Sequence, residues 1–572
     1  MRQVSPESPD IFDFIMDVYH SCGGKWDTLV SQCDITSDEL TRFLEYAASF
    51  LSNLGNFYGE GDQKYVPDLS VEALQKIANI SAKAKVGLEK VIGPVFAVPP
   101  FNLGYPDKNA QSSYYPGPEL ISKEEIAKVS EVMENHSIGD QRILGFGNLW
   151  KTENPPTICY KLLQRQVYTN LQMAYSSPEA TTAKNCPRSE WEAMVGIADP
   201  DETSRLKRFV EMSTVIIRQL PWAVEGVNDG KGPFEKTPFE APDFTSVHAL
   251  AICGSVVFEA ANLPNYEYIR ETCGFKNIVL ANRLSVNNNP KLPCHWVDPS
   301  ELKHFKSTTH IVRFITTAIH ELIGHGTGKL LSETTPGVYN FDKQNPPISP
   351  LSGKAVTSYY LPGQTWTSVF GNLAGTVEEC RAILVSEYLM DNKELLSIFG
   401  YTDDIEITAE DLLYTTYLNI GVDGLQALEH YSVQNKAWGQ VHHQAHFSIL
   451  KHLLQEGGGV IGISSDPITS TLTVHVDRTK ILSHGKPALG RYLCRLHIWR
   501  CTADISHCKE FHEPMCAVDG VYERWRQIVC SKPKPRWKFV QPNTFVNGGD
   551  VELKVYEESN EGIIQSWAER GI

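Results

Sequence analysis

Two histidines frame a six-residue segment, His320-Glu321-Leu322-Ile323-Gly324-His325, which limits the local fold more than any other part of the chain. The apolar run 311–319 precedes it and predicts a buried helix leading into the segment. Imidazole nitrogens are good zinc ligands, and a neighbouring carboxylate can accept a proton from an attacking water. The alternative is two unrelated histidines on a buried helix. The adjoining glutamate and glycine favour a metal site.

The spacing of these histidines differs from that of the common helical zinc pair, in which they stand four positions apart. Here they stand five positions apart. With about 3.6 residues per turn, the two side chains of a regular helix would point about 140° apart rather than about 40°. Both can reach one ion only if the helix contains a one-residue bulge, a feature frequent at functional sites. The spacing therefore predicts such a bulge, and Gly324, which lacks a Cβ, is best suited to absorb it.

A tetrahedral zinc site with one open position needs a third protein ligand. The best candidate lies in the acidic segment 376–382, which precedes the apolar stretch 384–390. A ligand on this separate helix would fix the ion from an independent direction. Thr376 and Glu379 also fit a capping box, so the residues alone leave both interpretations open.

The two segments together resemble the motifs of the dipeptidyl peptidase III family of metallopeptidases. They read His-Glu-Leu-Ile-Gly-His-Gly-Thr-Gly-Lys at 320–329 and Glu-Glu-Cys-Arg-Ala at 378–382. The resemblance implies one zinc ion per chain, held by His320, His325 and Glu379. It further implies that Glu321 is the general base and that Glu378 orients a ligand histidine.

The same resemblance assigns residues to the binding of short peptides. Asn262 and Asn265, in an Asn-x-Pro-Asn segment, would bind the N-terminal end of the peptide, although a simple turn also explains them. His442 would hydrogen-bond the substrate in the transition state. It stands four residues before His446, a metal-compatible spacing for which no third ligand is evident. The remaining positions implied to contact substrate are Glu179, Glu192, His446 and Arg536.

Several positions depart from the family pattern. Thr181 stands where the family has a tyrosine that polarises the scissile carbonyl, and loss of such a donor typically costs about 10²–10³ in rate. Tyr175 is a candidate substitute. His446 replaces an arginine, and this replacement is expected to weaken binding of a substrate carboxylate. Ile383 replaces an acid and Trp537 a basic residue.

Composition bounds the fold and the partners. A chain of 572 residues is too long for one hydrophobic core, so two or more lobes are expected. The net charge of −16 argues against binding a nucleic-acid backbone. No apolar run reaches the roughly 18–20 residues of a membrane span, and the segment 1–6 begins no secretory signal. Thirteen cysteines without Cys-x-x-Cys pairs indicate free thiols, so we expect a cytoplasmic protein. We also expect a monomer.

The periodicity predicts helices over residues 1–90, with a capping box at 36–39, a long helix over 433–456 and strands over 470–500. The resemblance implies an α+β, mostly helical fold with two lobes separated by a wide cleft. The implied lobes are a lower mixed α/β substrate lobe of residues 1–204 with 246–290 and 536–572, and an upper, mainly helical zinc lobe of residues 205–245 with 291–535.

The function that these observations favour is a zinc-dependent exopeptidase that releases dipeptides from the N-terminus of oligopeptides. The departures from the pattern leave open a degenerate, zinc-containing peptide-binding protein with little turnover. The motifs are also compatible with an endopeptidase or an aminopeptidase of a different kind. A structural role without metal is the interpretation that they favour least.

Overall fold

The computed structural model describes most of the chain. The described residues are 7–53, 55–58, 63–97, 143–151, 158–164, 193–237, 243–253, 259–263, 276–285, 293–433, 436–466, 469–532 and 538–571. They form an α+β fold that is mostly helical, which confirms the predicted class. No helix in these ranges is both long enough and apolar enough to cross a membrane.

Contacts divide the chain into two compact units, each assembled from separate segments. The first contains residues 1–197, 249–258 and 536–572, and the second contains residues 198–248 and 259–535. Residues 259–290, which the resemblance groups with the first lobe, contribute Val279 and Leu284 to the core of the second unit.

Among the described residues, helices dominate both units. In chain order the α-helices are α1 Ser8–Cys22, α2 Thr28–Gln32, α3 Ser37–Asn53, α4 Val71–Ala78, α5 Ala82–Phe96, α6 Pro200–Ile217, α7 Ala281–Ser285, α8 Leu302–Ile319, α9 Trp366–Phe370, α10 Leu373–Leu389, α11 Lys393–Ile398, α12 Ala409–Ala427, α13 Val441–Glu456, α14 Lys486–Cys501, α15 Ile505–Cys516, α16 Val521–Ser531 and α17 Asn560–Ala568. Single turns of π-helix cover His320–Gly324 and Ile481–Gly485, and short 3₁₀ turns cover Leu428–His430 and Arg478–Lys480.

The described strands are short. They are β1 Phe57–Tyr58, β2 Gln63–Lys64, β3 Ile143–Lys151, β4 Ile158–Gln164, β5 Ala193–Ala198, β6 Asp243–Cys253, β7 Ala260–Leu263, β8 Lys276–Leu280, β9 Glu333–Thr335, β10 Val338–Tyr339, β11 Tyr431–Ser432, β12 Ala437–Trp438, β13 Ile461–Asp466, β14 Thr471–Val476, β15 Asn543–Asn547 and β16 Asp550–Lys554. One sheet has four strands in the order β5-β6-β8-β7, where β6 and β8 run parallel and β7 and β8 antiparallel.

The first unit buries a helical core. Helix α1 packs against α5, and α17 packs against α3. Their shared core includes Ile15, Phe43 and Ile564. The predicted capping box is confirmed, because Thr36 N–H donates to Glu39 Oε2 at 2.7 Å and Glu39 N–H donates to Thr36 Oγ1 at 3.1 Å. The helices expected over residues 1–90 are therefore present.

Helix α10 lies at the centre of the second unit. It packs against α8, α13 and α14 and against the π-turn His320–Gly324. Its residues are buried on every side, including Val377, Cys380, Leu384, Val385 and Leu389. A helix buried on all sides is enclosed by its neighbours, and this enclosure fixes the helix that carries the candidate third ligand.

Two predictions of secondary structure need correction. Only Thr471–Val476 of the stretch 470–500 is a strand, and α14 occupies its second half because buried Leu489, Leu493 and Leu496 recur at helical spacing. The helix expected from residue 433 begins at Val441, since β12 precedes it and the side chain of Gln440 caps it.

Candidate metal centre

A single turn of π-helix, His320–Gly324, continues directly from the end of α8. Its signature is the hydrogen bond from His325 N–H to the carbonyl oxygen of His320 at 3.0 Å, across five residues. This wider turn brings both imidazoles to one side, with their ring centroids 4.6 Å apart. The one-residue bulge predicted from the spacing is confirmed.

Gly324 allows the π-turn to lie directly against α10. A Cβ at this position would stand 2.8 Å from the Cβ of Ala382 and 2.9 Å from its Cα. Backbone atoms cannot yield to such a contact without moving the helix. Gly324 is therefore required by the close approach of the π-turn to the helix that carries Glu379.

The structure brings His320, His325 and Glu379 together. The Nε2 atoms of the two histidines lie 3.2 Å and 3.6 Å from Glu379 Oε2, respectively. Ligand atoms about 2.1 Å from a tetrahedral zinc ion lie about 3.4 Å from one another, so these separations fit one ion. Within the described part of the chain, this is the one group of three histidine, cysteine or acidic side chains placed to hold a metal.

The carboxylate of Glu379 is aimed at this point rather than at the backbone. Its Oε2 atom is buried and lies 3.0–3.6 Å from the Nε2 atoms of His320, His325 and His442. Helix α10 begins at Leu373, so Thr376 lies inside the helix, where its hydroxyl is 3.1 Å from His512 Nε2. The capping-box interpretation is therefore wrong. Burial opposes ionisation of Glu379, yet the imidazoles of His442 and His325 hold its pKa well below the usual range.

Glu321 lies on the same π-turn as the two histidines. Its Oε2 atom is buried and has no hydrogen-bond partner among the described residues. A buried carboxylate oxygen without a partner carries a desolvation cost of about 1–3 kcal/mol or more, so its retention calls for an explanation. A role as general base, in which the carboxylate accepts a proton from the attacking water, explains why this oxygen is kept without a partner.

Glu378 faces away from Glu379 and bonds to the other side of His325. Its Oε1 lies 3.1 Å from His325 Nδ1 and 2.6 Å from Arg381 Nη2, and its Oε2 lies 2.7 Å from Arg500 Nε. Burial raises the pKa of Glu378, but the guanidinium groups of Arg381 and Arg500 outweigh it and hold that pKa well below the usual range. An ionised Glu378 accepts the Nδ1 proton of His325 and leaves Nε2 free for a metal.

His442 approaches the centre from α13. Its Nε2 lies 3.0 Å from Glu379 Oε2, and its side chain is 46% exposed. Gln440 Oε1 accepts His443 N–H at 3.0 Å, which turns the Gln440 amide nitrogen toward His442 Nδ1 at 2.6 Å. Because an amide nitrogen can only donate, the proton of a neutral His442 lies on Nε2, facing the centre.

The structure describes only some of the other predicted substrate residues. Asn265, Glu179, Glu192 and Arg536 lie outside the described residues, as do Tyr175, Thr181 and Trp537. Asn262 belongs to β7, and its side chain lies outside the described part of the structure. His446 is partly exposed, and burial together with the cation of Arg313 lowers its pKa to about 3. His446 is therefore neutral at pH 7.

Three residues that hold the side chains of the centre in place were not predicted from the sequence: Arg381, Arg500 and Gln440. Arg381 follows Glu378 by three positions on one helix, and that spacing was an available signal. Arg500 and Gln440 gave no such signal, because their partners are fixed by the packing of α14 and by an unusual helix cap.

Residues 182–571 match the sequence pattern of Peptidase family M49, so the chain belongs to that family. Dipeptidyl peptidase 3 of Rattus norvegicus is 37% identical over 398 residues, which cover 67% of this chain and 51% of the relative. Dipeptidyl peptidase 3 of Nematostella vectensis is 29% identical over 671 residues, which cover 100% of this chain and 90% of the relative. The resemblance drawn from the two motifs is confirmed.

The chain spans about half the length of the rat relative. Among solved structures, DPP III from Caldithrix abyssi aligns with a TM-score of 0.48 and 15% identity, over 92% of this chain and 92% of that chain.

Proposed function

We propose that this chain is a zinc-dependent exopeptidase that releases dipeptides from the N-terminus of oligopeptides. The observation that carries the proposal is the convergence of His320, His325 and Glu379 on one point, with Glu321 on the same π-turn as both histidines. Among the described residues, Glu321 Oε2 is buried without a partner. Two imidazole nitrogens and one carboxylate form the donor set of a hydrolytic zinc site with one open position. Membership of a peptidase family supports the choice of a peptide bond as the target.

His320, His325 and Glu379 would hold a zinc ion, which would supply a Lewis acid for the scissile carbonyl and favour ionisation of water. Glu321 takes the proton of the attacking water and passes it to the leaving amine. His442, with its proton on Nε2, donates to the charge that develops on the carbonyl oxygen. Glu378 holds His325 in the orientation that ligation requires.

The resemblance to the family supports the roles proposed for the peptide-binding residues. Asn262, Asn265 and Glu179 hold the free N-terminus, which places the cut after the second residue. Glu192 and Arg536 contact the peptide along its length. His446 stands at the position nearest the far end of the substrate and, being neutral, offers it no cation.

We propose a monomer in a reducing compartment, the cytosol. All the proposed ligands come from one chain, so the centre needs no second copy. Cys380, Cys501 and Cys508 are buried free thiols, a state that suits reducing conditions.

A slow, zinc-containing peptide-binding protein is the second candidate. It is favoured by the neutral state of His446, which removes one positive charge from the expected substrate site. Such a protein would retain zinc and bind peptides with little hydrolysis.

Metal analysis combined with a steady-state assay on a dipeptidyl arylamide tests both candidates. The exopeptidase proposal predicts one equivalent of zinc and hydrolysis that a chelator abolishes. One equivalent of zinc without hydrolysis selects the binding protein, and the absence of zinc contradicts both.

A comparison of free and N-acetylated peptides then tests the mode of cleavage. An exopeptidase that holds a free ammonium cuts the free peptide after its second residue and leaves the acetylated peptide intact. Equal cleavage of both peptides would identify an endopeptidase.

A further inference from the structure

We propose that Arg500 is a positioning residue for the metal centre: it fixes Glu378, which in turn orients the ligand His325. Arg500 is the penultimate residue of α14 and pairs with Glu378, which is not one of the proposed zinc ligands. The inference rests on the proposed function, since the position of His325 matters to a metal only if the centre binds one.

The contacts of Glu378 show why a second arginine is needed. Arg381 bonds to both oxygens of Glu378, with Nη2 2.6 Å from Oε1 and Nε 3.2 Å from Oε2. However, Arg381 lies on the same helix as Glu378, three positions later, and its bonds to Gly324 O at 2.6 Å and Thr327 Oγ1 at 3.0 Å tie that helix to the metal-motif segment rather than to a neighbouring helix. Arg500 comes from α14, and its Nε lies 2.7 Å from Glu378 Oε2. It is the contact that anchors this carboxylate to a different helix.

Arg500 is itself held firmly. Its side chain is 9% exposed, and its guanidinium carbon lies 5.3 Å from the ring centre of Trp366. The hydroxyl of Tyr360 donates to its carbonyl oxygen at 2.7 Å, which fixes the end of α14. A charged group that is packed and stacked in this way is confined to one position, as a positioning role requires.

The glycine that follows the metal motif provides the space for this arginine. Gly328 has φ +105°, and a Cβ there would stand 2.6 Å from Arg500 Nη1. Its amide donates to the buried carboxylate of Glu235 at 2.8 Å, which holds the loop in that conformation. The His-Gly-Thr-Gly run therefore serves the centre twice, through the imidazole of His325 and through the space that Gly328 leaves for Arg500.

Zinc affinity is the test, measured by competition with a chromogenic chelator on the full chain. Loss of a partner that orients a ligand typically weakens metal binding about 10–100-fold, and this range is expected for Arg500→Met. Gly328→Ala should weaken binding in the same direction by displacing the guanidinium. Arg491→Met is the matched control, since Arg491 lies on the same helix with a 47% exposed side chain and pairs with Glu456. It should leave zinc affinity unchanged.

A double-mutant cycle separates positioning from general damage. If Arg500 acts through Glu378, the combined Arg500→Met and Glu378→Gln variant should bind zinc about as weakly as Glu378→Gln alone. The visible spectrum of the Co²⁺-substituted Arg500→Met protein should also shift, because the ligand field changes with the orientation of His325. If Arg500→Met fails to fold, Arg500→Lys, which keeps the buried charge, should still bind zinc several-fold more weakly than the wild type.

The outcomes are distinct. Wild-type affinity in a folded Arg500 variant, or fully additive losses in the cycle, would overturn the role of Arg500 alone. A wild-type chain that binds no zinc would overturn the proposed function, and the positioning role would fall with it.

Discussion

The amide of His325 donates to the carbonyl oxygen of His320 at 3.0 Å. This bond closes a π-turn, so two histidines five positions apart face the same point. In a regular α-helix the two imidazoles would point about 140° apart. In the π-turn, their Nε2 atoms both lie within 3.6 Å of Glu379 Oε2. The geometry of the centre thus depends on the backbone as much as on the ligands.

Gly324→Ala should disturb this backbone. The added Cβ would stand 2.8–2.9 Å from Ala382 on α10, so the π-turn and the helix have to separate. Overpacking of this kind typically costs about 1–3 kcal/mol, and here it also moves Glu379 away from the histidines. Urea denaturation and zinc affinity should both report the loss. Gly462→Ala is the matched control, because a Cβ at Gly462 meets nothing within 4 Å; an equal loss there would contradict the steric explanation.

Glu321→Gln should separate chemistry from metal binding. The amide cannot take a proton from water, so kcat should fall by about 10²–10⁴ while zinc content stays at the wild-type level. The arylamide assay and metal analysis measure the two effects. Glu406→Gln, at an exposed position of the second unit, should leave both unchanged. A Glu321→Gln protein that loses its zinc would show that Glu321 is a ligand instead.

Removal of zinc should lower the melting temperature. A ligand present at about 1,000 times its Kd stabilises the folded state by about 4 kcal/mol, and a chelator removes that contribution. Wild type and Glu321→Gln should show the same decrease, since neither lacks a ligand. His325→Ala should show little decrease, and a full decrease in that variant would exclude His325 from the metal site.

Stability should fall between pH 7 and pH 5 in part because of His512. This imidazole is fully buried on α15, and burial lowers its pKa to about 4. The unfolded chain therefore binds more protons than the folded chain below about pH 6.5, so the stability contributed by neutral His512 is present above that pH and is lost as pH falls toward 4. Two-state linkage for one such group amounts to about 2 kcal/mol at pH 5.

Urea midpoints at pH 5 and pH 7 measure this effect. His512→Gln removes the titrating group and should reduce the difference between the two midpoints, whereas His507→Gln, at a site with a 68% exposed side chain, should not. An unchanged pH difference in His512→Gln would exclude His512 as a source of acid instability.

The metal centre was more predictable than its supports. The bulge followed from the spacing of His320 and His325, because helix geometry admits few ways to bring such a pair together. Arg500 could not be found in the same way, since its contact with Glu378 depends on how α14 packs against α10. Local periodicity carries no information about such a pair.

The secondary structure shows a similar limit. The alternation in Thr471–Val476 predicts a strand, but it stops there, and Leu489, Leu493 and Leu496 follow the helical period of α14. The start of α13 was misplaced because glutamine, here Gln440, is not among the preferred helix caps. In the first case the element type of the second half was wrong, because a helix stands where a strand was expected; in the second only the boundary was misplaced.

The π-turn lies at the very end of α8, and this position determines how the rest of the fold would respond to one inserted residue. One residue added to an α-helix rotates everything after it by about 100°. Here the chain leaves helical structure within two residues of Gly324, so the rotation turns no downstream buried face toward solvent. An ancestral insertion at this point would have changed the metal geometry while sparing the rest of the helical bundle.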